Sequence, residues 1–177
     1  MSKTLLENLE KTIRKRSPIL ADRLQPGLPV ARVQQKLQRA KVQGIVGPVV
    51  SLFSWRNGSR LDPSLTREQA TPFPGSPFIF MDFEMMFVDF RAFEEYAKYH
   101  PRLTELVGRY FPLFWDGSDK HLAVDLKPSA HSRIILVDTQ AEKPVAEAYA
   151  SFEDFLKDAI RANEESSPLI CFRGSSS

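Results

Sequence analysis

The stretch from Tyr110 to Leu126 leaves the chain few ways to fold, because it spells two strands closed by a turn. Asp116-Gly117 sits between two apolar runs, and glycine accepts the positive φ that a tight hairpin turn requires. In the second run Leu122, Val124 and Leu126 alternate with His121, Ala123 and Asp125, which is the two-residue period of a strand. Residues 132–138 add a third apolar strand. Residues 143–147 read as a short edge strand, with Pro144 near its start, where an edge tolerates a missing N–H.

Helices flank this meander. Leu5, Leu6, Leu9 and Ile13 share one face of a helix over residues 4–15, with Thr4 and Glu7 spaced as a capping box. Ser17-Pro18 ends it. Pro29 suits the first turn of a second helix running to about Lys41, striped by Val33, Leu37 and Ala40. Pro48 opens a third helix through Trp55, and Asn57-Gly58 reads as its left-handed C-cap. At helical spacing from Leu52, Trp55 reads as core ahead of a recognition aromatic. Near the other end, Ser151 is an N-cap, and Phe152, Phe155, Leu156, Ala159 and Ile160 form the apolar stripe of a closing helix.

Two segments between these elements are less regular. Residues 59–77 are polar and proline-rich, and read as a long exposed loop. Residues 78–90, Phe-Ile-Phe-Met-Asp-Phe-Glu-Met-Met-Phe-Val-Asp-Phe, read as two short strands. Asp82 and Glu84 then share one face at period two, and Asp89 caps a helix over residues 90–99. The run serves as core, or as an apolar surface for a partner. A short helix over residues 102–108 follows it. Residues 169–172 read as a small docking strand, and Gly174 to Ser177 as frayed.

The composition fits one packed α+β domain over residues 1–165, with a tail over 166–177. The chain has 177 residues, 42% of them hydrophobic, and its 13 phenylalanines supply large buried area. A net charge of +2, from 24 basic and 22 acidic residues, points to neither a nucleic-acid binder nor a polyanion mimic. The run Arg14-Lys15-Arg16 reads as a solvated helix end ahead of a nucleic-acid patch. No run approaches the roughly 20 apolar residues of a membrane span. With one cysteine, Cys171, and no apolar leader, cytoplasmic residence is expected.

Chemistry-bearing motifs are sparse. The chain has no P-loop, no Gly-x-Ser-x-Gly and no Gly-x-Gly-x-x-Gly. His100, His121 and His131 lack metal-ligand spacing, although His121 and Asp125 share a strand face. Asp82, Glu84, Asp116, Asp119 and Asp125 fall in turns and on strand faces, as solvated carboxylates do. No cofactor or metal is expected, and Cys171 has no histidine near it in sequence.

The order of motifs carries a resemblance. Leu52-Phe-Ser-Trp-Arg-Asn-Gly58 ends the N-terminal helices. Tyr-Phe-Pro-Leu-Phe-Trp-Asp-Gly-Ser-Asp spans 110–119, Leu-Ala-Val-Asp-Leu spans 122–126, and Ala-Ser-Phe-Glu-Asp-Phe-Leu spans 150–156. Across residues 28–160 this resembles the SUKH superfamily of fungal cell-wall synthesis regulators and bacterial toxin-immunity proteins. The resemblance implies an antiparallel or mixed β-meander between N-terminal helices and a C-terminal helix. It also implies a non-enzymatic protein that binds and blocks a cognate toxin by direct contact, as a monomer or weak homodimer. Expected contacts are the loop 59–77, Asp82, Glu84, Asp116, Ser118, Asp119 and Asp125. An intracellular scaffold for signalling or cell-wall synthesis proteins is one rival reading, and a small hydrolase or metal enzyme is another.

Overall fold

The computed structural model describes residues 2–60 and 64–172. Two helices open the chain, α1 (Ser2–Arg16) and α2 (Pro18–Arg23), with Ser17 capping the second. β1 (Leu24–Pro26), α3 (Val30–Arg39), α4 (Gly47–Trp55) and β2 (Arg56–Ser59) follow, and β1 pairs antiparallel with β2. Next come a one-turn helix, α5 (Arg67–Ala70), and the long α6 (Phe83–Tyr99). A 3-10 turn over Pro101–Leu106 leads into the meander of β3 (Tyr110–Trp115), β4 (Lys120–Asp125), β5 (Ile134–Asp138) and β6 (Val145–Tyr149). α7 (Phe152–Glu165) closes the fold.

The meander is a four-stranded antiparallel sheet in the order β3-β4-β5-β6. Its register places Phe111 opposite Val124, Leu122 opposite Leu136, and Val124 opposite Ile134. β3 slips by one residue between Pro112 and Phe114. A bulge there turns Leu113 and Phe114 both to the main core, next to a proline that an edge strand tolerates.

Both faces of the sheet are covered. Phe111, Phe114, Leu122, Val124 and Ile134 join the main core, which α1, α3, α4, α6 and α7 complete. Tyr110, Ala123, Ile135 and Val137 face the other way, and Phe93, Leu103 and Leu106 cap them in a second cluster. That is why β4 is buried on both faces after Lys120, although its sequence alternates. Phenylalanines fill the seams: Phe53 lies 5.1 Å from Phe83, Phe90 lies 5.1 Å from Phe111, and Phe73 lies 5.0 Å from Phe114, ring centre to ring centre.

Several expectations are corrected. Residues 83–90 belong to α6 and are not strands; upstream, only Ile79 makes a strand-like bridge, to Trp115. Asp82 caps α6, its carboxylate accepting from Met85 N at 2.9 Å, and Asp89 lies inside the helix. α4 ends at Trp55, and Asn57-Gly58 enters β2 in place of forming a C-cap. Gly58 does take a positive φ of 79°, and a Cβ there would lie 2.6 Å from Asp82 N. Thr4 lies inside α1, and Glu7 pairs with Lys3 at 4.0 Å instead of closing a capping box.

The loop over 59–77 is only partly exposed. Thr66 and Gln69 form a capping box on α5, while Thr71, Phe73 and Ser76 are buried. Its residues 61–63 lie outside the described residues. Residues 170–172 form a 3-10 turn, not a strand, and Leu169 beside it is fully buried. The expected fraying of Gly174 to Ser177 falls outside the described residues. Among those described, no helix is long and apolar enough to cross a membrane.

Candidate interaction site

The hairpin turn folds around one carboxylate. Asp116 is buried, and its Oδ1 accepts from Ser118 N at 2.8 Å and Lys120 N at 3.0 Å. Gly117 supplies the positive φ, 84°, that lets the chain reverse there. Trp115 Nε1 donates to Ser118 O at 2.8 Å, tying the ring to the turn. Asp116 therefore builds the turn, while Ser118 and Asp119 stand at its surface.

The turn borders a cleft of about 310 Å³ between the tail of α6 and the end of the sheet where β4 begins and β5 finishes. Tyr96 and His100 line one side, Trp115, Ser118 and Asp119 the other, with His121 on the floor. His121 Nε2 lies 3.1 Å from Asp89 Oδ2, and the imidazole stands edge-on to Phe93. The histidine is 6% exposed, and its Nδ1 is buried with no hydrogen-bond partner. Arg102, in the same wall, donates to Thr139 O at 2.7 Å and Ala141 O at 3.1 Å.

A second feature runs along α6. Met85, Val88, Tyr96 and Tyr99 are 43%, 60%, 48% and 78% exposed, and with Ala92 they form a stripe spaced i, i+3, i+7, i+11 and i+14. The opposite face of the same helix buries Phe83, Met86, Phe90 and Phe93. Within residues 78–90, Phe78, Phe80, Phe83 and Phe90 are core while Met85 and Val88 face out, because a helix divides what a strand pattern could not. The stripe reaches the cleft at Tyr96, which belongs to both.

The residues expected to contact a partner do not form one surface. Asp82 and Glu84 stand at the head of α6, where both complement the helix dipole and Glu84 pairs with Lys36. Twelve residues of helix, about 18 Å along its axis, separate Glu84 from Tyr96. Ser118 and Asp119 meet the cleft. Asp125 is a correction: it is fully buried, not a solvated carboxylate on an exposed strand face. Arg109 reaches it at 3.0 Å and Arg133 at 3.3 Å, and Lys127 N donates to it at 3.0 Å. Burial alone would raise the Asp125 carboxyl, but these hydrogen bonds and charges hold it below the usual carboxylate range.

His121 and Asp125 do not act together, because His121 pairs with Asp89. Among the described residues no group of three or more His, Cys, Asp or Glu is placed to hold a metal ion. Cys171 packs at the other end of the sheet, its Sγ 3.4 Å from Tyr149 OH. Burial and the nearby Asp158 charge push its thiol pKa up, the setting of an unreactive cysteine. The basic run is largely tied to the protein as well: Arg14 reaches Asp22 at 2.7 Å and Arg16 reaches Asn163 Oδ1 at 2.7 Å. Trp55 is half-buried, stacked near Phe80 and donating to Glu10 at 3.2 Å.

Sequence reading took Asp89 as a helix cap, not as the partner of His121, and did not see the exposed face of α6. The helical period through Met85, Val88, Ala92, Tyr96 and Tyr99 was the signal for that face. Compared with known proteins, the chain matches no family model and no curated sequence.

Proposed function

We propose that this protein is a non-enzymatic immunity protein that binds a cognate bacterial toxin in the cytoplasm and neutralises it by direct contact. The observation that carries this reading is the exposed stripe of Met85, Val88, Tyr96 and Tyr99, continuous with the cleft beside Ser118 and Asp119. Large apolar and aromatic side chains along one helix face, rimmed by charges, have the composition of an interface centre. Tyrosine contributes contact area at small entropic cost and keeps its hydroxyl for hydrogen bonding.

The partner face that fits is a polypeptide with an apolar ridge flanked by basic residues, since Asp89 and Asp119 edge the cleft. The motif order shared with the SUKH superfamily supports the same assignment. The protein would act as a monomer or weak homodimer.

Co-expression with the product of the adjacent gene, followed by pull-down and a growth assay, tests the reading. A stable complex and rescue from toxicity are expected. V88R and Y99A should abolish both while leaving the fold intact. Absence of both complex and rescue would overturn the proposal. A regulatory scaffold would instead lie beside signalling or cell-wall genes.

One observation favours a second reading, a small hydrolase: the His121–Asp89 pair on a cleft floor. Against it, Ser118 Oγ accepts from Asp119 N and makes no bond to His121 among the described residues. Turnover of an ester or phosphodiester that is lost in H121Q, with the fold retained, would replace the binding reading.

A further inference from the structure

We infer that the cleft between α6 and the hairpin turn is a receptor for a guanidinium group, the side chain of an arginine on the bound partner. The inference rests on the binding reading above and names the chemistry its cleft selects.

The cleft's hydrogen-bonding groups are unevenly used. Its N–H donors are half taken: Trp115 Nε1 by Ser118 O, two of the five Arg102 N–H groups by backbone carbonyls, and one Gln140 Nε2 hydrogen by Asp119 Oδ1 at 3.2 Å. Its two carboxylates each keep an open oxygen. Asp89 binds His121 through Oδ2 alone, and Oδ1 has no hydrogen-bond partner among the described residues; Asp119 Oδ2 has none either. In a neutral imidazole protonated on Nε2, that nitrogen donates to Asp89 and Nδ1 remains an acceptor, and Nδ1 is the buried atom left unpartnered. Leaving such an atom dry and unpaired is costly, so the site favours an occupant or small rearrangement that brings it a donor.

A guanidinium answers each demand. It offers five N–H donors and no acceptor, and its positive charge balances the Asp89 and Asp119 carboxylates. It is flat, and Tyr96 and Trp115 offer aromatic faces for it to stack against. Lysine brings the charge and three donors, but it has no flat face to stack and no fixed fork to span separate acceptors. An anionic ligand would meet one cation, Arg102, and two carboxylates, Asp89 and Asp119. His121 is a positioning residue here: it holds the Asp89 carboxylate by one oxygen and leaves the other open to the cleft.

The test needs no partner. N-acetyl-arginine amide is titrated into the whole protein, and the Trp115 indole and His121 imidazole resonances are followed by NMR. Saturable shifts confined to the cleft are expected, with a Kd of about 1–10 mM. D89N should weaken binding about tenfold, and E164Q, at an exposed position on α7 outside the cleft lining, should leave it unchanged. N-acetyl-norleucine amide should give no saturable shift. If D89N disturbs the whole spectrum, D119N supplies the same comparison. No saturation, equal response to the norleucine compound, or binding that survives D89N and D119N would overturn the inference. A cleft that binds the arginine compound in a protein that fails to rescue from the toxin would sink the immunity reading and leave this site standing. Rescue without arginine-compound binding would do the reverse.

Discussion

Asp125 is the most enclosed carboxylate among the described residues. It is a fully buried carboxylate held by Arg109, Arg133 and Lys127 N. Removing it would take from Arg109 its carboxylate partner and from Lys127 N its acceptor, while Arg133 keeps Glu147 at 3.0 Å and both arginines keep contact with water. D125A is therefore expected to cost about 1–3 kcal/mol, read as a lower urea midpoint. Its carboxyl is depressed in the folded state, so its contribution is complete above the unfolded carboxylate value near 3.9 and is lost as pH falls through the folded value. Acid titration of stability should show D125N losing less than the parent as pH falls below about 4. Cys171 makes a contrasting prediction. Its thiol is held up by burial, so alkylation should be slow in native protein and rise steeply once urea unfolds it.

At the scale of elements, α6 carries most of the proposed partner surface. Asp82 starts it, Gly58 lets β2 pass close beneath that start, and Asn57 Oδ1 accepts from Phe83 N at 2.9 Å. D82A should cost about 1 kcal/mol as a lost cap. G58A should cost more, because its Cβ meets the Asp82 backbone and the residue keeps a positive φ. Both are measured by chemical unfolding, and a G58A midpoint equal to the parent's would contradict the close approach. Substitutions on the exposed stripe belong to the other class. V88R and Y99A are expected to shift stability by no more than about 0.5 kcal/mol while removing partner binding. The hairpin turn is the second such element. Asp116 satisfies two of its backbone N–H groups, and Ser118 and Asp119 are thereby presented to the cleft.

At the scale of the molecule, the four-stranded sheet is covered on both faces, and the cleft forms where α6 runs past the sheet's end. The hairpin, the third strand, the edge strand and the closing helix were all legible in the sequence, because each carries its own period and its own turn or cap residue. Residues 78–90 were not legible. Phenylalanine and methionine recur there at intervals that suit either period, and only Asp82, three residues before Met85, marks the true helix start. The short pairing of β1 with β2 was hidden as well, since it joins Leu24 to Ser59 across 35 positions and has no local signature.

The sequence by itself determined the class of the molecule: helices first, an antiparallel meander organised by Asp116-Gly117, and a helix capped by Ser151. These follow from local steric and hydrogen-bonding preferences, which act over a few residues. Tertiary structure alone decided which carboxylates are dry and which meet solvent. Asp125 is enclosed because two arginines converge on it, and Asp89 meets His121 because α6 packs beside β4. Burial and charge pairing are set by elements distant along the chain, and no local pattern encodes where they come together.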